Sequence, residues 1–505
     1  GAVASLALYD RNTMKLGVAG ACEAVVSAVQ RHAHENIIAV KGFSALANLA
    51  MNPGNSGWLG PAGACSALMA AVQHHIKDEV AAHSAWRAVA NLCGEEGNIA
   101  RLGDSGACEA VVDAMRVHIG NERATEECCR SIAGLARDDS NLQKLVAAKV
   151  CESVVIALQV QQTSTAVVIQ AYLAVFELAS RGRVTQNLLS AEGCCDAVYS
   201  TLKSHGTENV SAVKHGCMAI QALSCNNLAN QSLLGNNDVI ELIVHYLQIH
   251  GRSEEAVAEG VVALRCLLDG CIANIHLCSG AAICSLLTKL FEKHMKSLRV
   301  AVNSCYVLFY LTSHPPLNES DSDTSSVDRD ISSNITALTD RGVYSILVAA
   351  LHKHILDPEF AIICCQASSN IATTADGKFR LGGAGICKAL TKVMQIHIDN
   401  FSVCTAVCHL ILNLSVDYDA NKSKLGSAGI CRFVVTAMQQ FYQRVEFAEL
   451  CCRVICVLCA HQESNRVKLV SAGAVDIVTI VLQFYAVNSV APQWASSALA
   501  ILGGL

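Results

Sequence analysis

Eight of the chain's 18 histidines recur at one place in a repeating frame: His32, His75, His118, His205, His250, His294, His354 and His397. Regular histidines invite a metal reading. Distance excludes it, because packed helices lie about 8–10 Å apart, whereas zinc holds its ligand atoms at about 2 Å. Each histidine is instead expected to cap the helix it ends, bonding that helix's own last carbonyls. Cys452, Cys456 and Cys459 share a helical face in CCRVICVLC, but buried free cysteine behaves as a small hydrophobe. Cys404 and Cys408 read the same way. No G-x-x-x-x-G-K-[ST], G-x-G-x-x-G after a strand, H-E-x-x-H or G-x-S-x-G occurs. No catalytic residue, metal or cofactor is therefore expected.

The elements that position these residues follow a strict period. The phrase AGACEAVVSAV at Ala19 returns as AGACSALMAAV at Ala62, SGACEAVVDAM at Ser105 and SAGICRFVVTAM at Ser427. Its anchor falls at Cys22, Cys65, Cys108, Cys151, Cys195, Ile240, Cys284, Tyr344, Cys387, Cys431 and Val475, with every step but one within two residues of 43. Internal repeats of this length mean a solenoid. The third unit predicts a short helix ending near Gly103, a second over about Gly106–His118 and a third over about Arg123–Ala136, the last two with an apolar stripe. Asparagine stands ten residues before the anchor in nine of eleven units, among them Asn55, Asn98 and Asn141. It reads as the N-cap of the first helix.

The three-helix unit and the run N-x(3)-L-G-x-A-G resemble the armadillo-repeat family along essentially the whole chain. HEAT repeats have two helices and lack the short first one. The resemblance implies an all-α, right-handed superhelical solenoid of about eleven repeats whose third helices line a concave groove. It also implies a protein-binding role there.

On the third helix, the residues 19, 22 and 26 past each anchor are expected to share an exposed stripe. Two patches result: Lys41, Asn48, Arg87, Asn91 and Arg130 near the N-terminus, and Tyr306, Tyr310, Gln366, Asn370, His409 and Asn413 later. In peptide-binding armadillo proteins such an asparagine ladder holds the backbone of an extended ligand, and an amide both donates and accepts. The alternative is that these asparagines are solvated or bond a neighbouring helix. The nuclear-import adaptors of the family carry a tryptophan one turn before that asparagine. Here the position holds Ser44, Arg87, Gln366 and His409, and Trp86 faces elsewhere. An acidic or polar segment would suit the first patch and an aromatic-stacking segment the second.

The one long step contains His314 to Asn334, HPPLNESDSDTSSVDRDISSN, read as an acidic, serine-rich mobile loop between repeats seven and eight. Ser320 and Ser325 each have an aspartate three residues on, a pattern that suits acid-directed kinases and a regulatory loop. Residues Ala2 to Ala7 align with the end of a third helix, Ala45 to Ala50, so one solenoid over 1–505, cut from a longer chain with further repeats upstream, is expected.

Composition narrows the class. The chain is 52% hydrophobic and 16% charged, which excludes general disorder, and its net charge of −6 argues against a nucleic-acid partner. The longest uncharged stretch, Ser153 to Phe176, is broken by QVQQTST, so no membrane insertion is expected. Cysteines placed within helical apolar patterns point to a reduced compartment, cytoplasmic or nuclear. The expected function is a non-catalytic scaffold for an extended or helical segment of a protein partner, with a place in a larger assembly as one option. The same fold also serves small-GTPase regulators, chaperones, repeat arms of multidomain kinases and cytoskeletal components.

Overall fold

The computed structural model describes residues 1–206, 209–313, 324–485 and 491–503. Its described residues form 34 helices and no strand. These are eleven triplets, one per sequence repeat, preceded by the short helix Ala2–Leu6. In the third repeat the helices are Glu96–Asp104, Ala107–His118 and Glu122–Leu135, within one or two residues of the expected bounds. No single helix among the described residues is long and apolar enough to cross a membrane. By contact the chain divides into two compact units, Gly1–His250 with Val262–Asn274, and Gly251–Val261 with Ile275–Leu505.

Local signals start and stop each helix. Several third helices open on side-chain caps: Asp78 Oδ1 accepts from the Ala81 N–H at 2.7 Å, and Asn121, Asp357 and Asn400 repeat this. Second helices begin after a residue in the left-handed region. Glycine supplies it at Gly106 (φ 84°), while Lys149 holds the same place at φ 65°, a conformation that costs a side-chain-bearing residue about 1–2 kcal/mol.

In the first unit the third helices pack side by side, burying Phe43, Trp86, Ile132 and Tyr172 between them and the second helices. In the second unit the core runs from Cys284 to Leu502, with Phe360, Val407 and Ile455 contributed by successive third helices. Cysteine is a constant part of this packing. All 26 are free thiols, and only Cys225 and Cys266 are not buried. Burial pushes the Cys93 and Cys452 thiols up to about 12. Among the described residues no group of three potential ligands is placed to hold a metal ion.

The recurring polar residues tie one repeat to the one before it, and this corrects two expectations. The asparagine ten before the anchor is not the N-cap. That role belongs to the residue three earlier, as where Asn52 and Asp138 accept from the Asn55 and Asn141 N–H groups. The asparagine side chain is buried and donates to a first-helix carbonyl of the preceding repeat: Asn55 to Thr13, Asn98 to Ser56, Asn141 to Ile99, Asn421 to Lys378, all at 2.8–2.9 Å. Its Oδ1 lies over the preceding repeat's glycine. A Cβ on Gly17, Gly60, Gly103, Gly235, Gly382 or Gly426 would sit 1.5–1.9 Å from that oxygen.

The histidines do not cap their own helices either. The Nε2–H of His75, His118, His294, His354 and His397 donates to the carbonyl just after the preceding repeat's second helix, at 2.7–2.9 Å. Gln161 and Tyr485, at the same place in their repeats, make the same bond.

The segment 314–334 is corrected in part. Residues 314–323, including Ser320, lie outside the described residues. From Thr324 the chain is helical to Asp340, so Ser325 and the end of the expected loop belong to a helix. Its first turns carry no apolar period, Asp328 and Arg329 are exposed, and Ile331 is buried. The helix is tied down on the other side, where Asp330 Oδ2 meets His276 Nδ1 at 2.5 Å.

Candidate functional site

The open line of each third helix runs 18, 22 and 26 past the anchor. At about 100° per residue, offsets 18 and 26 flank offset 22 by about 40° on either side. Offset 19 is turned further round, toward the neighbouring helix. Ser84, Glu127, Glu259 and Asn303 are accordingly buried there, although Lys41 is exposed. Lys41 makes no hydrogen bond or ion pair among the described residues.

The N-terminal patch is consumed by the fold. Asn48 is 4% exposed, and its Nδ2 donates to Ala4 O at 2.7 Å. Arg87 Nη2 donates to Asn48 Oδ1 at 2.6 Å. One repeat on, Asn91 Nδ2 donates to Ala47 O and Arg130 Nη2 to Asn91 Oδ1, both at 2.8 Å. Arg130 also pairs with the buried Glu127 at 2.8 Å. Desolvation raises the Glu127 carboxyl above its ordinary value, and Arg130 opposes that shift. These amides bond the neighbouring helix, as the alternative reading had it, and the arginines complete them. Trp86 is buried in the core.

The later patch is different. Tyr306 and Tyr310 stack with ring centroids 6.3 Å apart, and the Tyr306 hydroxyl donates to Glu359 at 3.3 Å. Asn370 Nδ2 donates to Ser313 Oγ at 2.8 Å and Asn413 Nδ2 to Ser369 Oγ at 2.8 Å. Their Oδ1 atoms take no hydrogen bond from the described residues. Gln366 and His409, one turn earlier on these helices, are exposed and likewise have no hydrogen-bond partner among the described residues. Partial desolvation against its helix neighbours, and then the nearby Arg453, lower the His409 pKa below its ordinary 6.5, so at neutral pH the ring offers one donor and one acceptor.

Between these helices lies a groove of about 570 Å³. Gln366, Asn370 and His409 line it together with Phe309, Ile362, Phe401 and Thr405, which the 19–22–26 reading missed. Their signal was the offset of 18, which holds Ile362 and Thr405. Phe401 is fixed at the groove's end by Phe441 and Phe447 and by the Arg444 guanidinium, 4.0 Å from its ring centroid. Among the described residues no charged side chain lines the groove. Asn413 and the two tyrosines lie on the same stripes without lining it.

No protein-family model matches the chain, and no curated protein sequence matches it. Solved structures do. One, described as showing a conserved phosphorylation switch in the interaction between cadherin and beta-catenin, superposes with a TM-score of 0.69 at 13% identity, over 95% of this chain and 90% of that one. An engineered protein gives 0.68 at 19% identity, over 87% of this chain and 98% of its own. A designed armadillo repeat protein in complex with a (KR)4 peptide matches 44% of this chain at 24% identity, with a TM-score of 0.38. The fold is an armadillo-type α-solenoid. Within it the groove lies on the third-helix face of armadillo repeats seven to nine, and the joints described above hold the neighbouring repeats in register.

Proposed function

We propose that this chain is a non-catalytic binding scaffold that takes an extended, uncharged polypeptide segment along the third helices of repeats seven to nine. The groove carries the reading: Gln366, His409 and Asn370 Oδ1 take no bond from the described residues, whereas both ends of the N-terminal amides Asn48 and Asn91 are spent on the fold. Asn370 Oδ1 would accept from ligand N–H groups, and Gln366 and neutral His409 would each both donate and accept, which matches a peptide backbone. Phe309, Ile362 and Phe401 would receive apolar or aromatic side chains. A charge placed there would lose its hydration without gaining a partner. The fold-level likeness to the cadherin–beta-catenin structure supports a scaffold of this kind. Free thiols throughout support a reducing compartment, cytoplasmic or nuclear.

The test is selection from a random peptide library displayed on phage, followed by titration calorimetry. Gln366→Ala with His409→Ala should weaken the selected peptides by about tenfold or more, equivalent to about 1.4 kcal/mol. Lys41→Ala should leave them unchanged. Peptides that bind the double variant at wild-type affinity would remove this groove as the site.

A further inference from the structure

Arg453 stands at offset 22 of repeat ten, the place that Arg87 and Arg130 hold in repeats two and three. Those two each donate to the asparagine at offset 26 of the preceding repeat. Arg453 has the equivalent asparagine, Asn413, before it, yet its guanidinium makes no hydrogen bond among the described residues. It lies instead over the Trp494 ring, 5.6 Å from the centroid. Glu449, one turn earlier on the same helix, approaches to 3.9 Å, beyond hydrogen-bonding distance.

A second arginine is in the same state. Arg444 stands just before the helix Val445–Cys459 and is exposed. Its guanidinium lies 4.0 Å from the Phe401 ring centroid, likewise with no hydrogen bond among the described residues. A cation over a ring face is held electrostatically, and that contact consumes no N–H donor. Both guanidinium forks therefore stay whole, and such a fork matches a carboxylate with two parallel bonds.

Both arginines border the groove on its repeat-ten side. Phe401, which Arg444 covers, lines the groove, and so does His409, which holds offset 22 one repeat before Arg453. The third helices of repeats nine and ten pack against each other. Arg444 and Arg453 are nine residues apart, or about 13 Å along one helix. An extended segment that leaves the groove across repeat ten passes between them.

Resting on the groove as the peptide site, we propose that Arg444 and Arg453 take aspartate or glutamate side chains of the partner segment, so that acidic residues follow the uncharged stretch on the repeat-ten side. Neighbouring third helices lie about 10 Å apart, and an extended chain advances about 3.3 Å per residue. The first acid therefore falls about three residues beyond the one over His409. Glu446 and Glu449, on the same helix as Arg453, oppose a longer acidic run.

Peptides selected on the whole chain from a library of uncharged residues are resynthesised with blocked ends and a Ser-Ser-Asp-Asp extension at one end or the other. Ser-Ser-Asn-Asn extensions serve as controls, and all are titrated by calorimetry. The acidic extension should tighten binding by about fivefold at one end only, and the gain should shrink at high salt. Arg444→Gln with Arg453→Gln should abolish the gain while the Asn-extended peptides bind as to wild type, which also reports that the variant is folded. A gain at neither end, an equal gain at both ends, or a gain that survives in the double variant overturns the proposal. Peptides that bind Gln366→Ala with His409→Ala at wild-type affinity remove the groove and this inference with it; groove binders indifferent to the acidic extension remove this inference alone.

Discussion

Replacing Gly103 by alanine isolates the joint between repeats. The new Cβ would fall 1.5 Å from Asn141 Oδ1 and 2.4 Å from its Cγ, far inside contact distance. Asn141 is 1% exposed and cannot move outward without breaking its 2.8 Å bond to Ile99 O. Losing that bond and stranding a buried carbonyl costs about 1–3 kcal/mol. Overpacking adds about 1–3 kcal/mol, and the better helix propensity of alanine returns about 1 kcal/mol. The net expectation is a destabilisation of about 3 kcal/mol, summed from those terms. Four joints in the chain do without the pair: at two the asparagine stays but faces Ser190 or Ser279, and at two both members change. Where the asparagine is replaced by Thr185 or Gly377, the preceding repeat's glycine is replaced by Val146 or Thr339. Gly103→Val with Asn141→Thr copies the Val146–Thr185 joint, and should be more stable than the sum of the single changes by about 1–3 kcal/mol. Urea unfolding followed by circular dichroism measures the totals, and hydrogen exchange around Ile99 localises the loss, since solenoids unfold in segments. A Gly103→Ala chain within about 0.5 kcal/mol of wild type, or strictly additive changes in the double variant, would refute the joint.

Three further outcomes are expected. His118→Ala should cost about 1–3 kcal/mol by stranding the Ile76 carbonyl, whereas His118→Gln should recover most of it, because Gln161 makes the same bond one repeat on; thermal melts of the two variants decide. Arg87→Ala and Arg130→Ala should each lower stability by about 1–2 kcal/mol, because each leaves an asparagine oxygen without its donor; unchanged melting temperatures would return these arginines to the list of available binding residues. His409 has its pKa lowered in the folded chain by burial and Arg453, so on acidification the unfolded chain binds a proton first. Its contribution to stability is therefore present above about pH 6.5 and is lost as pH falls toward the lowered value; comparing the pH dependence of wild-type and His409→Gln melting temperatures should show that slope only in the wild type.

Much of this architecture is legible in the sequence because one register repeats eleven times. The 43-residue step, the three helices and the recurring Asn, Gly and His positions are all visible in it. Their bonding is not, because the partners lie about 42 residues away in the adjacent unit. A lone Asn before a helix reads as a cap, and a lone His at a helix end reads the same way. The paired replacements at Val146–Thr185 and Thr339–Gly377 are the trace of the joint, and they appear only when adjacent units are compared position by position. The site was half legible. Gln366, Asn370 and His409 sit where the stripe placed them, but nothing in residue type distinguishes Asn370 from Asn48. Arg87 and Glu127 settle that difference, since they bring charge to the N-terminal stripe and lock it. The start of the helix Thr324–Asp340 was unreadable because the serine- and aspartate-rich sequence of its first turns carries no apolar period.

The joints have a direction. In the recurring Asn and His bonds the donor side chain belongs to the later repeat and the acceptor is a main-chain carbonyl of the earlier one. A chain emerging from the ribosome therefore always presents finished sockets, carbonyls and a bare glycine that water can serve, to the repeat still being made. The amides and imidazoles of these two joints never wait for a partner not yet synthesised. Each new repeat closes its joint on arrival, so the array can add repeats during translation with its growing edge solvated. Assembly from the other end would leave every edge with side chains built for burial and nothing to bury them against.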